Sequence, residues 1–252
     1  MRPLPVVLLV ALVAANARAA SAPDLADTCR ASSSYDLTIA PDALRFDRAT
    51  PAPRRIELRD GRLVVDGAAV APSTEERDRL ALFERELRAL VPKAKTVARN
   101  GVDLALQAVR AETVGLGLAA DTRTELERRL AAHAADLKRR IDASTSTHDW
   151  RGDAFDRYAD DIASDIAPLI AADLGQQAVS AAVSGDLDAA AALRDRAASL
   201  GGDLQPRLER RMRALRPQIQ ALCPSIRRLG ELQHGVRDAR GRPLDLLDIG
   251  AS

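Results

Sequence analysis

Aromatic residues are scarce in this chain of 252 residues, which has three phenylalanines, two tyrosines and one tryptophan. A core without aromatic bulk must be built from aliphatic side chains, and 49 alanines among the 46% hydrophobic residues predict thin, closely spaced and mostly helical packing. With two cysteines and three histidines, a disulfide-dense miniprotein is excluded and a histidine- or cysteine-rich metal centre has little to build on. Cys-x-x-Cys, G-x-S-x-G, H-E-x-x-H and phosphate-loop patterns are all missing, so the familiar signatures of thiol exchange, serine hydrolysis, zinc proteolysis and nucleotide cleavage are absent. The formal charge of +1 gives no whole-chain pull toward nucleic acid.

The front of the chain does carry a strong pattern. Arg2 supplies a positive start, Leu4 to Ala15 an uncharged apolar stretch, and Ala17-Arg18-Ala19 a small-x-small cleavage site, so residues 1–19 read as a secretory signal peptide. The apolar run is about a dozen residues, short of the ~20 that a membrane span needs. Cys29 follows Ala26-Asp27-Thr28 rather than the apolar and small residues that precede a lipid-modified cysteine. The expectation is a soluble protein outside the cytoplasm with no stable membrane span. Removing the leader takes away Arg2 and Arg18 and no acid, turning the formal charge from +1 to −1.

In an exported chain, Cys29 near the mature start and Cys223 near the end invite one disulfide. Closing a ring of that size would remove at most about 5 kcal/mol of unfolded-state freedom. Two unpaired thiols with a catalytic or metal role are the competing reading.

Residues 20–72 form a β-rich N-terminal segment. Tyr35-Asp36-Leu37-Thr38-Ile39 and Leu44-Arg45-Phe46 alternate with period two, and Arg55-Ile56-Glu57-Leu58 faces Leu63-Val64-Val65 across Asp60-Gly61. Asp-Gly tolerates the positive φ of a tight hairpin, and Asp66-Gly67 repeats the signal. Pro41, Pro51 and Pro53 punctuate this antiparallel meander.

Residues 73–252 form a helical body. Ser73 and Glu76 make a capping box ahead of Leu80, Phe83, Leu87 and Leu90, a helix expected to stop near Val91 so that Pro92 opens another. That second helix, to Leu118, shows a narrow polar stripe of Arg99, Asp103, Gln107 and Arg110 and is expected to be central and largely buried. A third follows Asp121 with Leu126, Leu130, His133, Leu137 and Ile141 on its seam; a fourth, from about Asp153, carries Phe155, Tyr158, Ile162, Ile166 and Leu169, with Pro168 as a kink site. A shorter alanine-rich helix is expected from Gly185-Asp186 to Gly201-Gly202, and a last long one along Leu208, Met212, Leu215, Ile219, Leu222, Ile226 and Leu229, interrupted by Pro217 and Pro224. The fold class is α+β, predominantly α: a small meander followed by an elongated body of antiparallel helical hairpins.

Several features invite chemistry, and each has a plainer reading. Gly115-Leu116-Gly117-Leu118-Ala119-Ala120 fits a loose dinucleotide fingerprint, yet it ends a helix where the fingerprint needs a strand. Asp149, Asp153, Asp156, Asp160, Asp161 and Asp165 place acid pairs one turn apart, but without the spacing of a calcium loop they read as a solvated face; no metal is expected. Arg207, Arg210, Arg211, Arg213, Arg216, Arg227 and Arg228 are the sharpest charge run, of which Arg207, Arg210, Arg211 and Arg213 are the candidates for contact with an anionic surface. No aromatic is interleaved among them for base stacking, so nucleic acid is not expected as a partner. His133 sits on an apolar seam as a core or boundary residue, and His148 beside Asp149 lacks a third orienting group. Arg151-Gly152-Asp153 is a chance word.

Taken in order, Cys29 ahead of Tyr35-Asp36-Leu37-Thr38-Ile39, the Gly61-Arg62-Leu63 hairpin ending at Val65-Asp66-Gly67, Leu87-Arg88 before Val91-Pro92, Gly101-Val102-Asp103-Leu104-Ala105 and Leu222-Cys223-Pro224-Ser225-Ile226 resemble the YggN-like family of proteobacterial periplasmic proteins. The resemblance implies export and supports pairing Cys29 with Cys223. It implies no activity, since that family is a domain of unknown function.

The expectation is a non-catalytic envelope protein that holds a partner or an unfolded client along its helices, without a cofactor. The alternatives are an anionic-lipid or lipopolysaccharide binder using the arginine-rich last helix, and an envelope hydrolase.

Overall fold

The computed structural model describes residues 28–150 and 153–250, with side chains described except at 153–156, 159 and 197–209. The expected signal peptide lies outside the described residues. The chain is α+β and mainly helical. Strands β1 (Ala31–Ser32), β2 (Asp36–Ile39), β3 (Leu44–Asp47), β4 (Arg55–Arg59), β5 (Arg62–Val65) and β6 (Ala68–Val70) come first. Helices α1 (Thr74–Val114), α2 (Ala120–Ala143), α3 (Asp153–Val183), α4 (Leu187–Met212), α5 (Arg216–Gln220) and α6 (Cys223–Gln233) follow, and β7 (Asp248–Ile249) closes the described chain. The contacts of the described residues group into two units, one of residues 101–139 and 155–214, the other of residues 28–100, 140–150, 153–154 and 215–250.

The sheet unit holds the meander in the order β2-β3-β4-β5-β6, every neighbour antiparallel. Both Asp-Gly turns have the anticipated positive φ, 48° and 74° at Asp60-Gly61 and 48° and 84° at Asp66-Gly67. Gly61 is also sterically required, because a Cβ there would stand 2.4 Å from the Arg77 carbonyl oxygen. One face of the sheet is closed by the start of α1. Leu44, Phe46, Ile56, Leu58, Leu80 and Phe83 are almost fully buried, and Phe46 lies 6.3 Å, centroid to centroid, from both Tyr35 and Phe83. Half of the chain's few aromatics are thus spent in one place. The Tyr35 hydroxyl donates to the Pro53 carbonyl at 3.0 Å, and burial raises its pKa.

The same unit joins the two ends of the described chain. Cys29 and Cys223 form a disulfide with Cα atoms 5.1 Å apart, and β1 pairs with β7 in the register Ala31 to Ile249 and Ser32 to Asp248. Gln233 reproduces a strand's pairing with its side-chain amide, which donates to the Leu247 carbonyl and accepts from the Leu247 N–H at 2.9 Å.

Helix boundaries differ from the sequence expectation at Pro92 and at a glycine pair. The capping box forms, with Ser73 N–H donating to Glu76 at 2.8 Å, but α1 passes through Pro92 instead of restarting there. One missing backbone donor costs less than a second pair of helix ends. The expected burial of residues 93–118 is not found, for most of these side chains are half-buried. The polar stripe explains this, since it faces charged partners: in the helical unit Asp103 accepts from Lys138 and Arg110 pairs with Glu127 at 2.7 Å, the ladder of an antiparallel α1–α2 hairpin. The α4 backbone continues through Gly201-Gly202, where glycine's cost of ~1 kcal/mol per residue is carried by alanine-rich neighbours.

The anticipated last long helix is instead divided: its first positions, Leu208 and Met212, belong to the end of α4, and a 3-10 turn at Arg213–Leu215, then α5, then α6 carry the rest. Pro217 and Pro224 stand in the first turns of α5 and α6, where a missing N–H has no intrahelical partner to lose. The seam nevertheless holds, with Leu215, Ile219, Leu222, Ile226 and Leu229 all buried. The stretch 73–252 is not helical throughout, since past Gln233 the chain runs as turns into β7.

Candidate functional site

The helical unit is packed around Leu116, Leu118, Leu126, Leu130, Ile166 and Leu174, with Ile162, Leu169, Ile170 and Leu193 against them. From α3 this core takes the positions expected of an amphipathic helix. The opposite side of α3 is unusual. Its exposed residues from 163 to 183 are Ala163, Ser164, Ala167, Pro168, Ala171, Ala172, Gly175, Gln176, Val179, Ser180, Ala182 and Val183, and none is charged.

Larger apolar side chains end this face. Val179 is 64% exposed, Val183 84%, and Leu187, across the Gly185 turn at the head of α4, 70%. By length and composition Asp160–Val183 is long and apolar enough to cross a membrane, and few of its residues are buried. The exposure is a property of the face and not of missing polar residues in α3, because its two acids in this stretch are engaged elsewhere. Asp165 accepts from Arg129 at 2.8 Å and shares a hydrogen bond of 2.9 Å with His133. Asp173 accepts from the Ala119 N–H at 2.8 Å and from Gln177 at 3.2 Å. The hydrogen bond to His133, helped by the charge of Arg129, holds the Asp165 carboxyl below the usual range. Next to it Glu125 receives Arg128 and Arg129 and is pushed down to about 2.

The residues singled out by sequence fall as follows. Gly115 to Ala119 form the turn between α1 and α2 and Ala120 opens α2, with Gly117 at φ 67°, and the Ala119 amide that a phosphate would need is taken by Asp173. Among the described residues no group of acids, histidines or cysteines is arranged to hold a metal; Asp153 and Asp156 have side chains outside the described set. His133 is a boundary residue, as expected. His148 turns away from Asp149 and stands 3.2 Å from Asp36, while Asp149 accepts from Ser144. Arg210, Arg211 and Arg213 are exposed and make no ion pair with another described residue; the Arg207 side chain lies outside the described set. Cys29 and Cys223 are paired, which closes the two-thiol alternative.

The sheet unit holds an open cleft of about 860 Å³ that sequence reasoning missed, lined by Arg48, Arg227, His234, Asp245 and Asp248 among others. Its lining comes from β1, α6 and the chain around β7, segments far apart in sequence. The exposed face of α3 was within reach of sequence. Between Ile162 and Gly185 the chain has only two charged residues, and both fall on the side of the helix that packs.

These features define a class: a mainly helical α+β protein whose ends are closed by one disulfide and whose helical unit shows an uncharged face. The family model described as "Protein of unknown function (DUF2884)" matches residues 29–246, and the chain belongs to that family, consistent with its YggN-like resemblance. Comparison with curated proteins and with solved structures gives no match.

Proposed function

We propose that this is an exported, non-catalytic interaction protein of the periplasm that holds an apolar partner or unfolded client against the outer face of α3. The observation that carries the reading is the charge-free exposed surface from Ala163 to Val183, continued by Leu187. A soluble helix ordinarily places charges where it meets water, and a contiguous apolar surface marks a place where water is displaced by a partner. The Cys29–Cys223 disulfide is compatible with an oxidising compartment and so supports export.

The test is aggregation of an unfolded client in the presence of the protein without residues 1–19. The protein should delay aggregation, and Ala167→Glu with Ala171→Glu should remove the delay while the helical circular dichroism stays unchanged. Delay that survives both substitutions refutes the reading.

A second reading rests on Arg210, Arg211 and Arg213, exposed and without acidic partners among the described residues. Together with Arg207 these would meet anionic lipid or lipopolysaccharide. Cosedimentation with phosphatidylglycerol vesicles that disappears when the four become alanine supports it, and cosedimentation indifferent to them removes it.

A further inference from the structure

The chemistry of the partner can be read from what borders the uncharged face. We propose that the outer face of α3 docks a single α-helix of another protein, apolar over about 20 residues and basic at its ends. This deepens the interaction reading above and rests on it.

Side-chain size selects a helix. Ala163, Ala167, Ala171 and Gly175 follow one another at steps of four and so share one exposed row. Small residues in such a row let a second helix approach at the close end of the ~8–10 Å range of interaxial distances, where many small contacts add up. The row continues as Val179 and Val183, with Leu187 beyond the turn, which gives the groove a bulkier end that fixes register. A lipid surface asks for the opposite, namely large side chains to bury and cations beside them. The face has no aromatic and no cation.

Charge selects the partner's ends and argues against a second copy of this chain. Exposed Asp160 and Asp161 stand at the start of the face, with Arg157 one turn ahead and outnumbered, and at its finish stand Asp188 and Asp186, both exposed, the latter accepting from the Ala189 amide while still facing water. Two copies packed parallel would set each acidic end on its own duplicate, and packed antiparallel would set Asp160 and Asp161 against Asp186 and Asp188. Both arrangements bring like charges together at a desolvated contact. Lysine or arginine at both ends of an incoming helix would meet acids at both ends. Asp165 and Asp173 do not disturb this pattern, being held by Arg129, His133, Gln177 and the Ala119 amide.

The probes are two synthetic helices with the same leucine- and alanine-rich middle, one ended by lysines and one by glutamates, and binding to the protein without residues 1–19 is read by fluorescence anisotropy. The lysine-ended helix should bind about tenfold tighter or more, and raising NaCl to about 0.5 M should shrink that difference. Ala171→Glu should weaken binding about tenfold with thermal unfolding unchanged, and Asp161→Asn with Asp188→Asn should reduce the preference for lysine ends without removing binding. Equal affinity for the two probes overturns the proposal, as does binding indifferent to Ala171→Glu, a dimer that Ala171→Glu dissolves, or vesicle binding that it abolishes. Where Ala171→Glu stops client holding but the two probes bind alike, only the partner chemistry fails. Where client holding survives Ala171→Glu, the interaction reading itself fails.

Discussion

Helices α2 and α3 belong to the same unit and feed the same cluster of leucines and isoleucines, yet they meet water in opposite ways. The outer side of α2 carries Asp121, Arg123, Arg128 and Arg139, while that of α3 carries alanine, glycine, serine and valine. Packing on the inner side therefore does not dictate the outer side. A helix can satisfy the core with one stripe and leave the rest to solubility, as α2 does, or to a partner. The contrast extends to the two units. The sheet unit has several fully buried large side chains and a covalent closure, whereas the core of the helical unit is a short list of leucines and one isoleucine between 1% and 9% exposed.

The sharpest way to break the comparison of units is to remove bulk from each. Phe83→Ala takes a ring from the centre of the sheet unit and should cost about 3–5 kcal/mol, whereas Leu174→Ala in the thinner core should cost about 2–3 kcal/mol because its surroundings can relax. Urea unfolding followed by circular dichroism measures both. Equal losses would mean that the helical unit is packed as tightly as the sheet unit.

Next in size is the covalent closure. Cys29→Ser with Cys223→Ser should destabilise the sheet unit by about 2–5 kcal/mol, since the tie limits the unfolded chain across 194 residues of sequence. Hydrogen exchange should show the loss at β1, β7 and α6 and leave α3 unchanged. The intact protein should show no titratable thiol in denaturant before reduction.

How far these contrasts were legible in the sequence depends on the range of the interactions involved. The meander was readable strand by strand because alternation and Asp-Gly turns act over a few residues, and the Ser73–Glu76 box marked the start of α1 for the same reason. Pro92 and Gly201-Gly202 misled because a local cost, about 3 kcal/mol for proline and about 1 kcal/mol for each glycine, is outweighed when a long helix stays continuous. The β1–β7 pairing left no local pattern, being two residues on each side brought together by the fold and the disulfide. Of the candidate surface, the seam of α3 was legible from its period of isoleucines and leucines. Its bare outer face was obscured by the run of aspartates at the helix start, which draws attention to charge where the helix has charge.

A smaller effect separates the ion pairs of the helical unit from its apolar face. Glu125, held down to about 2 by Arg128 and Arg129, and Asp165, held below its ordinary value by His133 and Arg129, have folded pKa values under their unfolded ones. Their stabilisation is therefore complete above about pH 5 and is lost as pH falls toward about 2. Thermal unfolding of the wild type should decline through that window, and Glu125→Gln should flatten part of the decline. An unchanged pH profile in Glu125→Gln would show that these exposed pairs add nothing measurable to the unit.

The smallest expected change in stability tests the central contrast. At an exposed helical position, Ala171→Glu should alter unfolding free energy by no more than about 0.5 kcal/mol, because glutamate is nearly as good a helix former as alanine and no contact in the unit is lost. On α2 the corresponding change, Ala132→Glu, should be equally mild, since charge already surrounds it. The two substitutions are matched in chemistry, helical conformation and exposure, so stability cannot tell them apart. They should part only in function, Ala171→Glu ending the capture of an apolar helix and Ala132→Glu leaving it intact. If both variants hold partners equally well, the bare side of α3 is only an unadorned surface, and the difference between the two helices has no bearing on what the protein binds.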